Sequence, residues 1–251
     1  MKAGYSRPRG DMRTGQPIWC WIAAGAVLAG CGDGTTEPQP TPNPPFDPAN
    51  FVAGVTNPFF PLTPGTINYY EGVSEGSTET DSVEVLSETK AILGIAATVV
   101  HDRVYADGEL TEDTFDWYAQ DKDGNVWYLG EDTRELENGA VVSTEGSWEA
   151  GVDGAEAGII MWGDPAAHIG QEYRQEFSRG VAEDLGKVVA TDQHVEVPFG
   201  SLDGCVQTED RSALEPGILE NKYYCSGIGV VLELGVQGSN DRNELVAVIG
   251  P

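Results

Sequence analysis

The chain reads as all-β, a strongly curved antiparallel meander sheet or open half-barrel with few or no long helices. Three observations point there. Apolar and polar residues alternate with a period of two from Phe51 onward, Asx-Gly dipeptides punctuate that alternation, and 32 glycines with 15 prolines in 251 residues favour turns over helices. Hydrophobic residues make up 40% of the chain, enough to build a core. The 41 acidic residues against 14 basic give a formal charge of −27, which repels phosphate backbones and argues against any nucleic-acid partner.

The N-terminal stretch is of another kind. Lys2, Arg7, Arg9 and Arg13 face a single Asp11, and Pro17 leads into an apolar run over 18–30. Thirteen residues at about 1.5 Å each span about 20 Å, short of a hydrocarbon core of about 30 Å, so residues 1–30 read as an export signal. The run ends in Leu28-Ala29-Gly30-Cys31, which resembles the lipobox of bacterial lipoproteins. That resemblance implies cleavage before Cys31, diacylation of its thiol, and an exported domain anchored to the membrane by lipid. Gly32, not Asp, follows the cysteine, so the outer membrane is the default destination in a diderm.

Residues 31–50 then form a tether, with six prolines and almost nothing to bury, and 51–251 form a single β-rich domain. Cleavage discards four basic residues and one acidic, which takes the charge to −30. Little basic surface is left to lie on anionic headgroups, and the acyl chains would do the anchoring.

Within the domain, strands are predicted over 99–105, 110–118 and 125–129, rich in β-branched and aromatic residues and separated by Asp107-Gly108 and Asp123-Gly124. Asn138-Gly139 marks a further hairpin. The spacing of these dipeptides allows strands of about a dozen residues, long enough to twist and coil. The best helical stretch, 179–189, is broken by Gly180 and Gly186 and could equally be a loop entering a strand. A second set of strands is predicted over 172–177, 187–197, 205–209, 222–225, 230–234 and 245–249.

Two motifs in the domain resemble a pattern that recurs in exported bacterial proteins of largely unknown function. One is Asn57-Pro58-Phe59-Phe60-Pro61-Leu62-Thr63-Pro64-Gly65-Thr66; the other runs from Val197-Pro198 through Gly204-Cys205 to Tyr223-Tyr224-Cys225-Ser226-Gly227-Ile228-Gly229. The resemblance implies a twisted antiparallel sheet in the cell envelope and supplies no substrate. Cys225-Ser226 stands where that pattern more often has Ala-Pro. With Cys20 lost and Cys31 lipidated, Cys205 and Cys225 are left in an oxidising compartment, where a structural disulfide is expected.

Candidate chemistry is sparse. Asp121, Asp123, Asn125 and Asp132 fall at positions 1, 3, 5 and 12 of a Ca²⁺-loop spacing, but the glycine is misplaced and strand-forming residues fill the loop. A plain hairpin tip explains the same residues, so no cofactor is expected, with Ca²⁺ as the alternative. His101, His168 and His194 match no metalloprotease spacing, and no nucleophile elbow occurs. The stretch 146–165 carries Trp148, Met161 and Trp162 among five glycines. Either it closes the core, or Trp117, Trp127, Trp148, Met161 and Trp162 border a pocket for an apolar or amphipathic ligand. The leading expectation is a non-enzymatic binding or structural lipoprotein of the envelope. The alternatives are a carboxylate-dependent extracytoplasmic hydrolase and an acidic subunit docking on a basic envelope protein.

Overall fold

The computed structural model describes residues 40–74 and 76–251; residues 1–30, expected to be an export signal, and with them Cys20, as well as Cys31, lie outside the described residues. The period-two alternation becomes strands β1 (Phe51–Val52), β2 (Ile67–Ser74), β3 (Ser77–Ile92), β4 (Ile95–Ala106), β5 (Glu109–Asp121) and β6 (Val126–Asp132). An excursion follows, through β7 (Glu135–Glu137), β8 (Ala140–Ser143) and β9 (Trp148–Glu149), before β10 (Glu156–Met161), β11 (Glu172–Arg174) and β12 (Glu176–Phe177). The chain ends in β13 (Asp184–Val197), β14 (Gly200–Ser212), β15 (Leu219–Cys225), β16 (Gly229–Gln237) and β17 (Arg242–Ile249). The described helical turns are two short 3₁₀ segments, Pro48–Asn50 and Pro165–His168.

Turn chemistry sets the hairpins. Asp107-Gly108 and Asn138-Gly139 both adopt paired positive φ angles, as their composition predicts. So does Leu93-Gly94, with φ of 50° and 82°, between β3 and β4. A leucine in the left-handed region carries no compositional turn signal.

The meander closes further than a half-barrel. From β2 to β6 each strand pairs antiparallel with the next, β10 lies on β6, and β12 on β10. A hydrogen bond from Gln175 N to Asp184 O joins the β11–β12 stretch to β13, and β13 to β17 pair in succession. Then β17 returns to β2, from Arg242↔Val73 to Ile249↔Ile67. Stretch 179–189 is a turn at Gly180 running into β13, the loop alternative of its sequence reading.

The segment carrying the Asn-Pro-Phe-Phe-Pro-Leu motif closes one end of this barrel. Asn57 is buried, donates through Nδ2 to Gly124 O and Trp162 O, and accepts from Phe59 N through Oδ1. Those bonds push Phe60 inward, its ring 5.1 Å from Tyr118 on β5 and 6.3 Å from Tyr224 on β15. Leu62 packs in the same core as Val85, Val100 and Val230.

The other motif builds a second cluster. Register shifts between Val188 and Val195 bend the β13–β14 hairpin, Phe199 N bonds Leu245 O, and Val195, Cys205, Cys225, Leu232 and Leu245 pack together. Here Cys205 and Cys225 form the expected disulfide between β14 and β15, at a sequence separation of 20. Removing a cross-link over a loop of that size costs about 3 kcal/mol in the chain-entropy picture. Cys205→Ser with Cys225→Ser should therefore lower urea-unfolding stability by that amount; a loss below about 1 kcal/mol would show that the bridge constrains little.

An acid-lined barrel lumen as the candidate functional site

Residues directly opposite in antiparallel neighbours point to the same face, so the register reads out the lumen wall. One row runs Tyr70, Asp81, Val104, Glu112 across β2 to β5. The next runs Val83, Asp102, Thr114, and a third runs Val85, Val100, Asp116, Glu131 on to β6. On the facing wall Asp210 opposes Glu220, Lys222 lies between Thr208 and Glu233, and Tyr224 between Val206 and Val230. Glu176 and Asp184 complete the ring. One half of the barrel is thus filled by the apolar plug, and the other is walled by carboxyl groups.

Between the halves lies a cavity of about 100 Å³. Its lining includes Phe60, Asp102, Glu112, Asp116, Tyr118, Tyr128, Glu131, Lys222, Tyr224 and Glu233, and Lys222 is the one basic side chain among the described lining residues. Several acids have donors. Tyr128 OH donates to Asp116 at 2.6 Å, Trp148 Nε1 to Glu176 at 2.9 Å, and Thr114 Oγ1 to Glu112 at 2.9 Å. Lys222 Nζ stands 3.5 Å from Glu233 and 3.8 Å from Asp210. Other acceptors reach no donor: both oxygens of Glu220, Asp102 Oδ1 and Glu233 Oε2 are buried without a hydrogen bond.

Burial is the main cause that pushes these acids up. It takes Asp116 to about 6, Asp81 and Glu233 to about 7, and Glu220 to about 9. Asp102 and Glu176 are raised well above the usual carboxyl range, by burial and then by the neighbouring Asp81 and Asp184 respectively. Asp81 and Asp102 interact as a buried carboxyl pair, which disfavours ionising both at once. Burial alone would depress Lys222, but Glu233 and Asp210 more than offset it and its ammonium stays charged.

The residues singled out in the sequence sit elsewhere. Asp121 Oδ1 accepts from Asp123 N and Asn125 N, and Oδ2 from Asn125 Nδ2 and Trp127 Nε1. Asp132, at the far end of β6, pairs with Arg134 at 2.8 Å. The four residues of the calcium spacing do not converge, and no group of three or more His, Cys, Asp or Glu poised for a metal occurs among the described residues.

The tryptophans and Met161 all belong to one buried apolar core cluster, and none of them lines the lumen cavity. Trp117 lies under Lys90 Nζ at 3.1 Å from its ring, and Trp127 packs on Phe46 and Phe51. Trp148 meets Glu176, Met161 is fully buried, and Trp162 stacks on His168 at 3.8 Å. A second cavity of about 570 Å³ lies where the segment 40–46 straps across Trp127, Ala157 and Arg174. The strap is held by Thr41 N on Glu172 O and Asn43 Nδ2 on Arg174 O.

One constellation was invisible in the sequence because its members come from two strands. Ser201 Oγ lies 3.4 Å from His194 Nε2, and His194 Nδ1 lies 2.7 Å from Asp203. It has the order of a hydrolytic triad. Glu196 also approaches Nε2 at 3.6 Å, and the bonds to Asp203 and Glu196 raise the His194 pKa. The cluster sits on an exposed hairpin, with the imidazole and the Asp203 carboxylate facing solvent.

No protein-family model and no curated protein matches the chain. Among solved structures it is similar to a Parabacteroides distasonis protein provisionally classed as a lipoprotein, with a TM-score of 0.40 and 13% identity, covering 76% of this chain and 98% of that one. A likeness this distant assigns neither ligand nor activity, and the site rests on its own geometry.

Proposed function

We propose that the protein is an exported, lipid-anchored binding protein that holds a small polar ligand in its barrel lumen. The observation that carries this reading is the cavity of about 100 Å³ faced by buried acceptors that find no donor in the chain. A buried acceptor left without a donor costs about 1–3 kcal/mol, and a ligand that supplies donors recovers it. The apolar ligand suggested by the tryptophans has less support, because Phe60 and Leu62 occupy the apolar half.

Binding is favoured over hydrolysis by size. An apolar cavity of about 150 Å³ takes benzene, so a cavity smaller than that has no space for a sugar ring and its attacking water between two carboxyls.

Native mass spectrometry of protein extracted from its host membrane tests the reading. The expected species begins at a diacylated Cys31 and releases a small molecule on unfolding. An unmodified Cys31 within an intact N-terminus contradicts the anchor, and an empty lumen in every preparation contradicts the binding.

A further inference from the structure

We infer that the lumen takes an organic ammonium ion, a short amine or the aminoalkyl end of a longer molecule, rather than a bare metal ion. The inference rests on the binding reading above and names its ligand class.

The lumen acids are spread round the cavity instead of meeting at a point. Asp102 on β4, Asp116 on β5 and Glu131 on β6 line one wall and Glu233 on β16 faces them from the other, and no group of three or more acids placed to hold a metal occurs among the described residues. A calcium ion needs about six to eight oxygens within about 2.6 Å of one centre. An alkylammonium group instead offers separate N–H donors that diverge toward separate acceptors. Those acceptors exist: Asp102 is 4% exposed and Glu233 is 0% exposed, both line the cavity, and Asp102 Oδ1 and Glu233 Oε2 accept no hydrogen bond.

The remaining walls suit the same ligand. Phe60, Tyr118, Tyr128 and Tyr224 line the cavity with aromatic rings, which attract a cation through their π-faces and cover a short alkyl chain. Scaled from a cavity of about 150 Å³ that holds benzene, the lumen holds about four non-hydrogen atoms. Lys222 shows the chemistry in place: a protein-borne alkylammonium already sits between Asp210 and Glu233.

Charge balance couples the ligand to protons. The ammonium enters with its charge; each carboxyl that pairs with it ionises, and its proton passes to the solvent. Asp102 faces Asp81, Asp116 and Glu233, while Glu233 faces Lys222 and Asp210, with Tyr70, Glu112 and Glu220 nearby. All but Lys222 are acids or phenols, so the affinity for an ammonium rises with pH across the range where the carboxyls ionise.

The test is calorimetric titration of the full-length, detergent-solubilised protein with ethane-1,2-diamine, ethane-1,2-diol and calcium chloride. The diamine and the diol are run in phosphate and in Tris, and calcium chloride in Tris alone because calcium phosphate precipitates, all at pH 6.5 and 8.5. The diamine is expected to bind with a heat that depends on the buffer, reporting proton release, and to bind at least about tenfold more tightly at the higher pH. The diol and calcium are expected to give no binding heat.

Glu233→Gln and Asp102→Asn each replace a buried acid with a neutral isostere and are expected to weaken the diamine at least about tenfold, and Asp102→Asn, which removes no ion-pair partner, to do so without lowering the melting temperature. If one variant fails to fold, the other carries the comparison. Absence of diamine binding, equal binding of the diol, tighter binding of calcium, or variants that bind like wild type would each overturn the assignment. A neutral molecule retained in native mass spectrometry alongside a silent diamine titration would leave the binding reading standing and the ammonium class refuted.

Discussion

The free energy of unfolding is expected to fall by several kcal/mol as the pH rises from 5 to 9. The sign follows from the lumen. A carboxyl whose folded pKa exceeds its unfolded value contributes stability that is complete below the unfolded pKa and is lost as pH rises through the folded one. Asp116, Asp81, Glu233 and Glu220, with folded values of about 6, 7, 7 and 9, place that loss between about pH 4 and pH 9.

Glu220 has the largest numbered shift. It is 1% exposed, neither oxygen meets a donor, and Lys222, Glu233, Asp210 and Asp241 surround it. Each pKa unit is about 1.4 kcal/mol, so holding its proton at pH 8.5, where the unfolded chain has released it, costs on the order of 3–5 kcal/mol. Glu220→Gln removes that titration while keeping the shape. Urea unfolding should show the variant more stable than wild type by about 3 kcal/mol at pH 8.5 and within about 1 kcal/mol at pH 5. Equal pH dependence in the two proteins would mean that Glu220 is solvated or already paired.

Asp121→Ala is expected to be the most damaging single change outside the lumen, at about 4 kcal/mol. The Asp121 carboxylate is 3% exposed and accepts four hydrogen bonds, two from backbone amides and two from the Asn125 and Trp127 side chains. Truncation strands buried donors, each costing about 1–3 kcal/mol, and loosens the hairpin on which Asn57 anchors the plug. For a domain of this size the melting temperature should drop by about 8–16 °C. Asp132→Ala, at a half-exposed ion pair with Arg134, should change stability by less than about 1 kcal/mol. A calcium loop would make the two substitutions comparable, so equal effects that vanish in chelator would contradict the hairpin account.

Much of the wall was legible in the sequence. The strands around 99–105, 110–118 and 187–197 and the disulfide follow from alternation, Asx-Gly turns and cysteine arithmetic. In β3 the inward positions Glu79 and Asp81 are acidic, so no apolar phase announces a buried face.

The same inversion hid the site. In β5 the apolar phase, Phe115, Trp117 and Ala119, points outward beneath an outer layer, and the polar phase, Glu112, Thr114 and Asp116, points into the barrel. Alternation alone does not reveal that the polar phase is the one facing the interior. Glu112 and Asp113 are adjacent and chemically alike, yet one is 1% exposed in the lumen while the other pairs with His101 on the outside. Only pairing across strands distinguishes them, and closure depends on β17 meeting β2 over most of the chain length. The acidic excess, read first as a surface property, is in part an interior one.

The account stands on lumen carboxyls that keep protons at neutral pH. Potentiometric titration of the folded protein against the urea-unfolded chain counts those protons directly. At pH 7 the folded state is expected to hold at least two more protons than the unfolded one, on Glu220 and on the Asp81–Asp102 pair. Coincident titration curves between pH 5 and pH 8 would contradict a buried acidic lumen and everything built on it.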